Sequence, residues 1–436
     1  MSIQTINNTD TGLKARNAIN SIGRAAQFAA GGRRAVIDAF GDSIGGVTAS
    51  GIGACVGVAA SYWAPGMNIE QRDSYAVGGT SATALMSSQL ALFQAAIAGG
   101  KPLPDIATIQ THSNDFITAA GVDAALANQI NFIEALRTMG VPLIIACSAL
   151  PKSGSAPPQG RAQFNTRMKY YADTTPGVVF FDWFSASVDP ASTDTATTPW
   201  RTGHSTDGTH PTGAAIFWGG KVIAELLAPL LSRVSPRTLP NFRYVKGTDT
   251  SERWYNIEGR EGNFHGTGGQ LNGVDNTGVA GSAASQNNRW QITHGAGVTV
   301  TPSIVVDEEG HRNQRLVLSG TPTDATDIRL LYNHNYLQTA AATWQQQAIA
   351  KVASLTGIRG LGYTNFASPM QSVWGTAGPL PVHSGTWFLR NLTNGLVRAD
   401  VAGAFTQIFS IGVLNGVPIS GTVDVSRCYD YPIIQT

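Results

Sequence analysis

From about residue 35 to about residue 233 the sequence alternates short β-rich apolar runs with longer stretches in which apolar residues recur at spacings of three and four. That alternation is the pattern of a parallel α/β sheet, because strands joined by helical crossovers run the same way and bury both faces. Strand candidates are AVIDAF (35–40), DSYAV (73–77), IATIQT (106–111), PLIIACSA (142–149) and GVVFFDW (177–183). Helical candidates fall at 82–98, 122–139, 161–171 and 212–231. Five β–α steps fill this half.

After Ser235-Pro236 the character changes. Gly, Asn and Thr clusters punctuate short alternating stretches such as VTVTPSIVV and RLVLSG, and long helical patterns largely disappear. This is the signal of a β-sandwich, with LPNFRYVKG as the connector. At 436 residues the chain exceeds one ordinary core. The expected division is an N-terminal segment over 1–34, an α/β domain over 35–235 and a β-sandwich over 236–436.

Charge excludes two classes of partner. Twenty-nine basic and twenty-eight acidic side chains leave a formal charge of +1, so no broad attraction to nucleic-acid phosphates or acidic lipids is expected. No run approaches eighteen apolar residues, so no membrane span is expected. The first thirty residues lack an unbroken apolar stretch with a cleavage site, which predicts synthesis in the bacterial cytoplasm without a secretory signal. Cys55, Cys147 and Cys428 are too far apart for a zinc pattern or a dense disulfide framework, and they read as unpaired thiols.

Four short blocks of the first half bear chemistry. In AFGDSIGG a strand ends at Phe40, Gly41 permits a sharp turn, and Ser43 stands at the carboxyl edge of the sheet, where open α/β folds place their ligands. A serine hydroxyl needs a base. DGTHPT supplies one in His210, with Asp207 three residues earlier to hold the imidazole tautomer that accepts the serine proton. AVGGTS contains Gly79, whose amide can approach an oxyanion closely, and THSND contains Asn114, whose side-chain amide is a neutral donor. With the Ser43 amide these form a candidate oxyanion hole, each donor worth about 10²- to 10³-fold in rate.

Singly, each block has a plain structural use. Ser43 reads equally as a helix N-cap, Gly79 as a turn glycine, Asn114 as an Asx turn, and Asp207 and His210 as a capping carboxylate and a surface histidine. Their joint occurrence in this order is what stands out. Ser43 in GDSI, Gly79 in VGGTS, Asn114 in HSND and Asp207/His210 in DGTHPT together resemble the four blocks of the SGNH (GDSL-type) hydrolases, across about residues 35–233. The resemblance implies a three-layer α/β/α fold with a five-stranded parallel sheet, no metal and no cofactor, and ester hydrolysis through an acyl-enzyme. The string GDSIG also fits the GxSxG elbow of the α/β-hydrolases. Those enzymes place their serine after several strands, with acid and base usually well separated, unlike Ser43 and the Asp207/His210 pair.

Two positions depart from the family pattern. His112 stands where a glycine usually opens the third block, and Ser74 and Tyr75 stand where an asparagine usually precedes the second. His112 is either a substrate-pocket residue or a space filler. His204 reads as a loop residue beside Trp200 and Arg201, Cys147 as a small buried side chain, and Asp182 as a loop cap.

The N-terminal stretch INNTDTGLKARNAINSIGRAA carries a Thr/Asp cap signal and Ala15, Ala18, Ile19 and Ile22 on one helical face. It is similar to the opening of many bacteriophage tail-fibre and tailspike proteins, which implies a virion-associated chain, a homotrimer, and other tail proteins as partners. An ordinary N-terminal helix of the catalytic domain is the other reading. The C-terminal part is similar to jelly-roll modules that accompany carbohydrate-active domains, with Trp254, Trp290, Trp344, Trp374 and Trp387 as candidates for stacking on sugar rings. The resulting expectation is a serine esterase removing O-acetyl groups from a bacterial surface polysaccharide as part of a phage tail. The rival readings are a lipase or thioesterase acting on another ester, and a non-catalytic glycan receptor-binding protein.

Overall fold

The computed structural model describes residues 34–46, 51–111, 114–115, 119–154, 159–193, 197–235, 264, 266–281, 290–308, 310–334, 343–365, 371–374, 378–390, 396–397 and 405–432. The N-terminal helical segment, the connector and Trp254 lie outside them. The chain divides into two compact units, Met1–Val234 and Ser235–Thr436.

In the first unit the apolar runs become β1 (Ala35–Gly41), β2 (Ile69–Ser74), β3 (Ile106–Gln110), β4 (Leu143–Cys147) and β5 (Val178–Phe181). They form one parallel sheet in the order β2-β1-β3-β4-β5. β2 begins four residues before the expected run and pairs through Ile69–Ser74, with a register shift between Ile37 and Asp38. Alternation along the strands sorts the two faces. Phe40, Ala107, Ile109, Ile144 and Ala146 join Phe93, Phe132, Ile133, Phe164 and Met168 in one core under the helices Leu90–Ala98, Ala119–Met139 and Gln159–Thr174.

On the other face lies a helix that the apolar period did not announce, Ile52–Val58, continued by a wide turn over Ala59–Trp63. It packs closely on Gly213–Leu227 because two glycines of that helix leave room. A Cβ at Gly219 would sit 2.9 Å from Cys55 Sγ and 2.6 Å from Trp183 Nε1, and one at Gly220 would sit 2.7 Å from Val58 Cβ. The short helix Trp183–Ser187 is capped by Asp182, whose Oδ1 accepts Ser185 N–H at 3.0 Å.

In the second unit a six-stranded sheet runs in the order His383–Arg390, Thr343–Thr356, Ile419–Pro432, Arg312–Gly320 and Val298–Val306, with Leu396–Val397 paired to Thr343–Thr356. A seven-stranded sheet runs Gln371–Trp374, Ile358–Asn365, Phe405–Val413, Ile328–His334, Trp290–Thr293, Gly269–Leu271 and Val274–Asn276. The pairings are antiparallel except between Gly269–Leu271 and Trp290–Thr293. This is a β-sandwich. Trp290 and Trp387 are buried in its interior, so neither presents a ring to a sugar.

Candidate active site

Ser43 owes its place to the turn that ends β1. Gly41 has φ +132° and a Cβ there would lie 1.7 Å from the carbonyl oxygen of Gln110, so no side chain fits. Asp42 N–H donates to the same oxygen at 3.0 Å, extending the pairing toward β3 by one bond. Asp42 is buried, and its Oδ1 accepts Ile44 N–H at 2.9 Å while its carbonyl accepts Gly45 N–H at 3.1 Å. This Asx turn aims Ser43 outward at the carboxyl edge, between β1 and β3. The strand order reverses there, and open sheets bind ligands at such points.

His210 arrives from the far end of the same unit on a loop closed at its base. Thr212 N–H donates to His204 O at 2.9 Å, and Ser205 bridges Pro211. At the loop's turn Gly208 has φ +74°, and its carbonyl accepts Ser153 N–H at 2.8 Å and Trp200 Nε1–H at 2.9 Å. Asp207 Oδ1 gathers Thr209 N–H at 2.8 Å, His210 N–H at 2.7 Å and Ser205 Oγ–H at 3.3 Å. Asp207 Oδ2 lies 2.7 Å from His210 Nδ1, and His210 Nε2 lies 3.0 Å from Ser43 Oγ. A carboxylate beside Nδ1 fixes the proton there and leaves the Nε2 lone pair to face the serine hydroxyl.

Partial burial would raise the Asp207 carboxyl. The hydrogen bonds from the His210 ring, the His210 backbone and the Thr209 backbone outweigh it and hold the group far below the usual carboxylate range. His204 lies in this loop and is buried at its base. Burial first, and Arg201 second, push its imidazole down to about 4, so it is neutral where His210 has to work.

The second and third blocks meet the first. A Cβ at Gly78 would come within 3.8 Å of Ser43 Cβ, and Gly79, at φ +77°, turns the chain away beside it. Asn114 Nδ2 donates to Thr80 O at 2.9 Å, tying the third block to the residue after Gly79. Among the described residues no group accepts the N–H of Ser43 or of Gly79. His112 lies outside the described residues, so its place is not part of this geometry.

Other residues hold the site that single-sequence reading passed over. Asp115 accepts Ala82 N–H at 3.1 and 3.0 Å, joining the third block to the helical turn after the second. Buried Arg161 stands near it; burial draws the guanidinium down to about 10, against the opposing pull of Asp115. Gln89 brackets Gly41, accepting its N–H at 2.9 Å and donating to its carbonyl at 2.8 Å. Asn165 brackets Ala149 in the same way at 2.7 and 3.1 Å, steadying the strand end that leads to Ser153. Cys147 is buried on β4, and burial pushes its thiol far up, so it stays protonated and inert.

Residues 39–215 match the model of the GDSL-like Lipase/Acylhydrolase family. No curated protein matches the chain. Among solved structures, a carbohydrate esterase family 3 protein from Talaromyces cellulolyticus is 17% identical, with 45% of this chain and 97% of that one covered and a TM-score of 0.33. An acetyl esterase solved with an acetate ion is 16% identical over 45% of this chain and 97% of that one, with a TM-score of 0.33. Tailspike protein 4 of Bacteriophage CBA120 is 14% identical over 34% of this chain and 20% of that one, with a TM-score of 0.20. Likenesses of this size assign no substrate.

Proposed function

We propose that this chain, in which residues 39–215 form a GDSL-like lipase/acylhydrolase domain, is a serine esterase that removes O-acetyl groups from a bacterial surface polysaccharide. The observation that carries the reading is the relay from Asp207 Oδ2 to His210 Nδ1 at 2.7 Å and from His210 Nε2 to Ser43 Oγ at 3.0 Å, beside unengaged N–H groups.

In this reading Ser43 Oγ attacks the acyl carbon as His210 Nε2 takes its proton. The carbonyl oxygen becomes an oxyanion held by the amides of Ser43 and Gly79 and the side-chain NH2 of Asn114. Collapse of the tetrahedral intermediate breaks the ester C–O bond, and His210 returns the proton to the leaving sugar hydroxyl. Water then attacks the acyl-enzyme, again with His210 as base, and releases acetate and free Ser43. Asp207 stays ionised and stabilises the imidazolium.

Exposure of the relay favours a bulky alcohol. The side chains of His210 and Asp207 are 42% and 53% accessible, so a sugar unit within a polymer can reach the serine without threading a tunnel. The jelly-roll-like β-sandwich serves in this proposal as a glycan-binding or assembly module. The similarity of the N-terminal stretch INNTDTGLKARNAINSIGRAA to tail-fibre openings supports a place on a phage tail in this proposal, as a homotrimer beside other tail proteins.

Three measurements test this reading. Hydrolysis of an aryl acetate should fall by about 10⁴-fold or more in Ser43→Ala, and activity surviving that change would remove the esterase reading and favour a receptor-binding role. Acetate should be released from O-acetylated capsule or O-antigen, whereas a strong preference for long acyl chains would replace this substrate with a lipid or thioester. Light scattering should give the mass of a trimer.

A further inference from the structure

Gly41 is the most confined backbone position of the site, and a single side chain grips both of its polar groups. Gln89 is 0% exposed; its Oε1 accepts Gly41 N–H at 2.9 Å and its Nε2 donates to Gly41 O at 2.8 Å. Gly41 O also accepts Val77 N–H at 2.9 Å, so one carbonyl links the Ser43 turn to the strand end that leads into Gly78 and Gly79.

The helix geometry is bent to bring this about. Gln89 ends a wide turn over Leu85–Gln89 in which Leu90 N–H bonds Leu85 O, a span of five residues rather than four. The added residue rotates the chain by about 100° and delivers a carboxamide to the sheet, where regular winding would present another side chain. A buried primary amide on an apolar helix face costs free energy unless both its ends are satisfied, and here the N–H and the C=O of Gly41 satisfy them.

From this geometry we infer that Gln89 is a positioning residue for the nucleophile, fixing the Gly41 peptide so that Ser43 Oγ stands within reach of His210 and its amide faces the oxyanion. The inference rests on the esterase reading of the same site. Gln89 touches no reacting atom. Its effect passes through the two bonds to Gly41, two residues before Ser43, and through the carbonyl shared with Val77. Loss of the clamp lets the turn relax, which misplaces the hydroxyl relative to His210 and the Ser43 amide relative to Gly79.

The carboxyl analogue separates this role from simple packing. In Gln89→Glu the neutral acid retains both bonds, its carbonyl accepting Gly41 N–H and its hydroxyl donating to Gly41 O. Ionised, it has no hydrogen to donate and sets a negative oxygen against the Gly41 carbonyl. Burial delays that ionisation to higher pH than in water.

The experiment measures kcat and KM on an aryl acetate across pH for wild type, Gln89→Glu and Gln89→Leu. It adds the rate at which a fluorophosphonate labels Ser43 by mass spectrometry, and unfolding midpoints at each pH. Wild-type turnover across pH is the reference profile. Gln89→Glu is expected to match it at acid pH and then fall by about 10- to 100-fold as the new carboxyl ionises, with KM little changed and the protein still folded. Gln89→Leu is expected to be slow, in turnover and in labelling, at every pH where it is folded.

If Gln89→Glu follows the wild-type profile throughout while Ser43 labels normally and Ser43→Ala is inactive, the positioning role is overturned and the esterase reading stands. If wild-type Ser43 is not labelled and Ser43→Ala keeps its activity, both fall. If Gln89→Leu does not fold, the pH limb of Gln89→Glu decides alone.

Discussion

His204 ties the stability of the catalytic loop to pH. Its backbone carbonyl closes the base of the loop by accepting Thr212 N–H, and its ring is buried with Arg201 nearby, so that the folded state holds the imidazole at about 4 against an ordinary 6.5. The folded chain therefore disfavours a proton that the unfolded chain accepts. Stability is complete above about pH 6.5 and declines as pH falls toward about 4, because the unfolded state binds more protons across that window. For a single site with these two values the loss between about pH 7 and about pH 4.5 is about 2 kcal/mol, or some tens of fold in the unfolding equilibrium. Replacing His204 by glutamine removes the titration while keeping a polar side chain. The assay is urea unfolding at both pH values, read by hydrogen-exchange mass spectrometry on peptides from 197–235, so that this half is followed separately from the β-sandwich. Wild type should lose about 2 kcal/mol more than His204→Gln on acidification. Equal losses would refute the argument, as would a histidine resonance assigned to His204 that titrates near 6.5.

Other residues give sharper single outcomes. Asp207→Asn should lower kcat by about 10⁴-fold with KM little affected, since asparagine no longer fixes the His210 tautomer, and steady-state kinetics on an aryl acetate would show it. Because Asp207 is held far below the usual carboxylate range, the acid limb of the wild-type profile should not contain its titration. Gly41→Ala should cost at least about 3 kcal/mol in denaturant unfolding, as its Cβ would lie 1.7 Å from a backbone oxygen in a packed sheet; a well-folded, active alanine variant would contradict the turn described here. In the β-sandwich, Trp387 Nε1 donates to the buried His383 Nε2 at 3.2 Å. His383→Leu should destabilise that unit by about 1–3 kcal/mol in thermal unfolding read by tryptophan fluorescence.

The parts legible in the sequence were those whose physics leaves a local trace. β1, β3 and β4 are runs buried on both faces, so composition alone marks them, and the edge strand β5 is an unbroken apolar run, VVFF. β2 is an edge strand, IEQRDS, whose Arg72 pairs with buried Asp38 at 2.6 Å; its polar letters hid its start. The helix Ile52–Val58 is buried on every side, and a helix with no wet face has no period to detect.

The site divides the same way. Ser43, Gly79, Asn114, Asp207 and His210 stand in short strings of uncommon composition. Gln89 and Asn165 are carboxamides on helices, indistinguishable in the sequence from solvent-facing residues, and their partners are backbone groups 48 and 16 residues away. Trp290 and Trp387 invited a sugar-stacking reading because an aromatic in an alternating strand can face either way; both face inward.

The pair Ser43–His210 is separated by 167 residues of chain. A ribosome adding about 5–20 residues each second needs about 8–33 s to cover that interval. Throughout it the emerging polypeptide carries a serine with no base to activate it. Helix Gly213–Leu227, which must close against Ile52–Val58 through its two glycines, is made after His210, so hydrolytic competence begins only when synthesis of this half is finished.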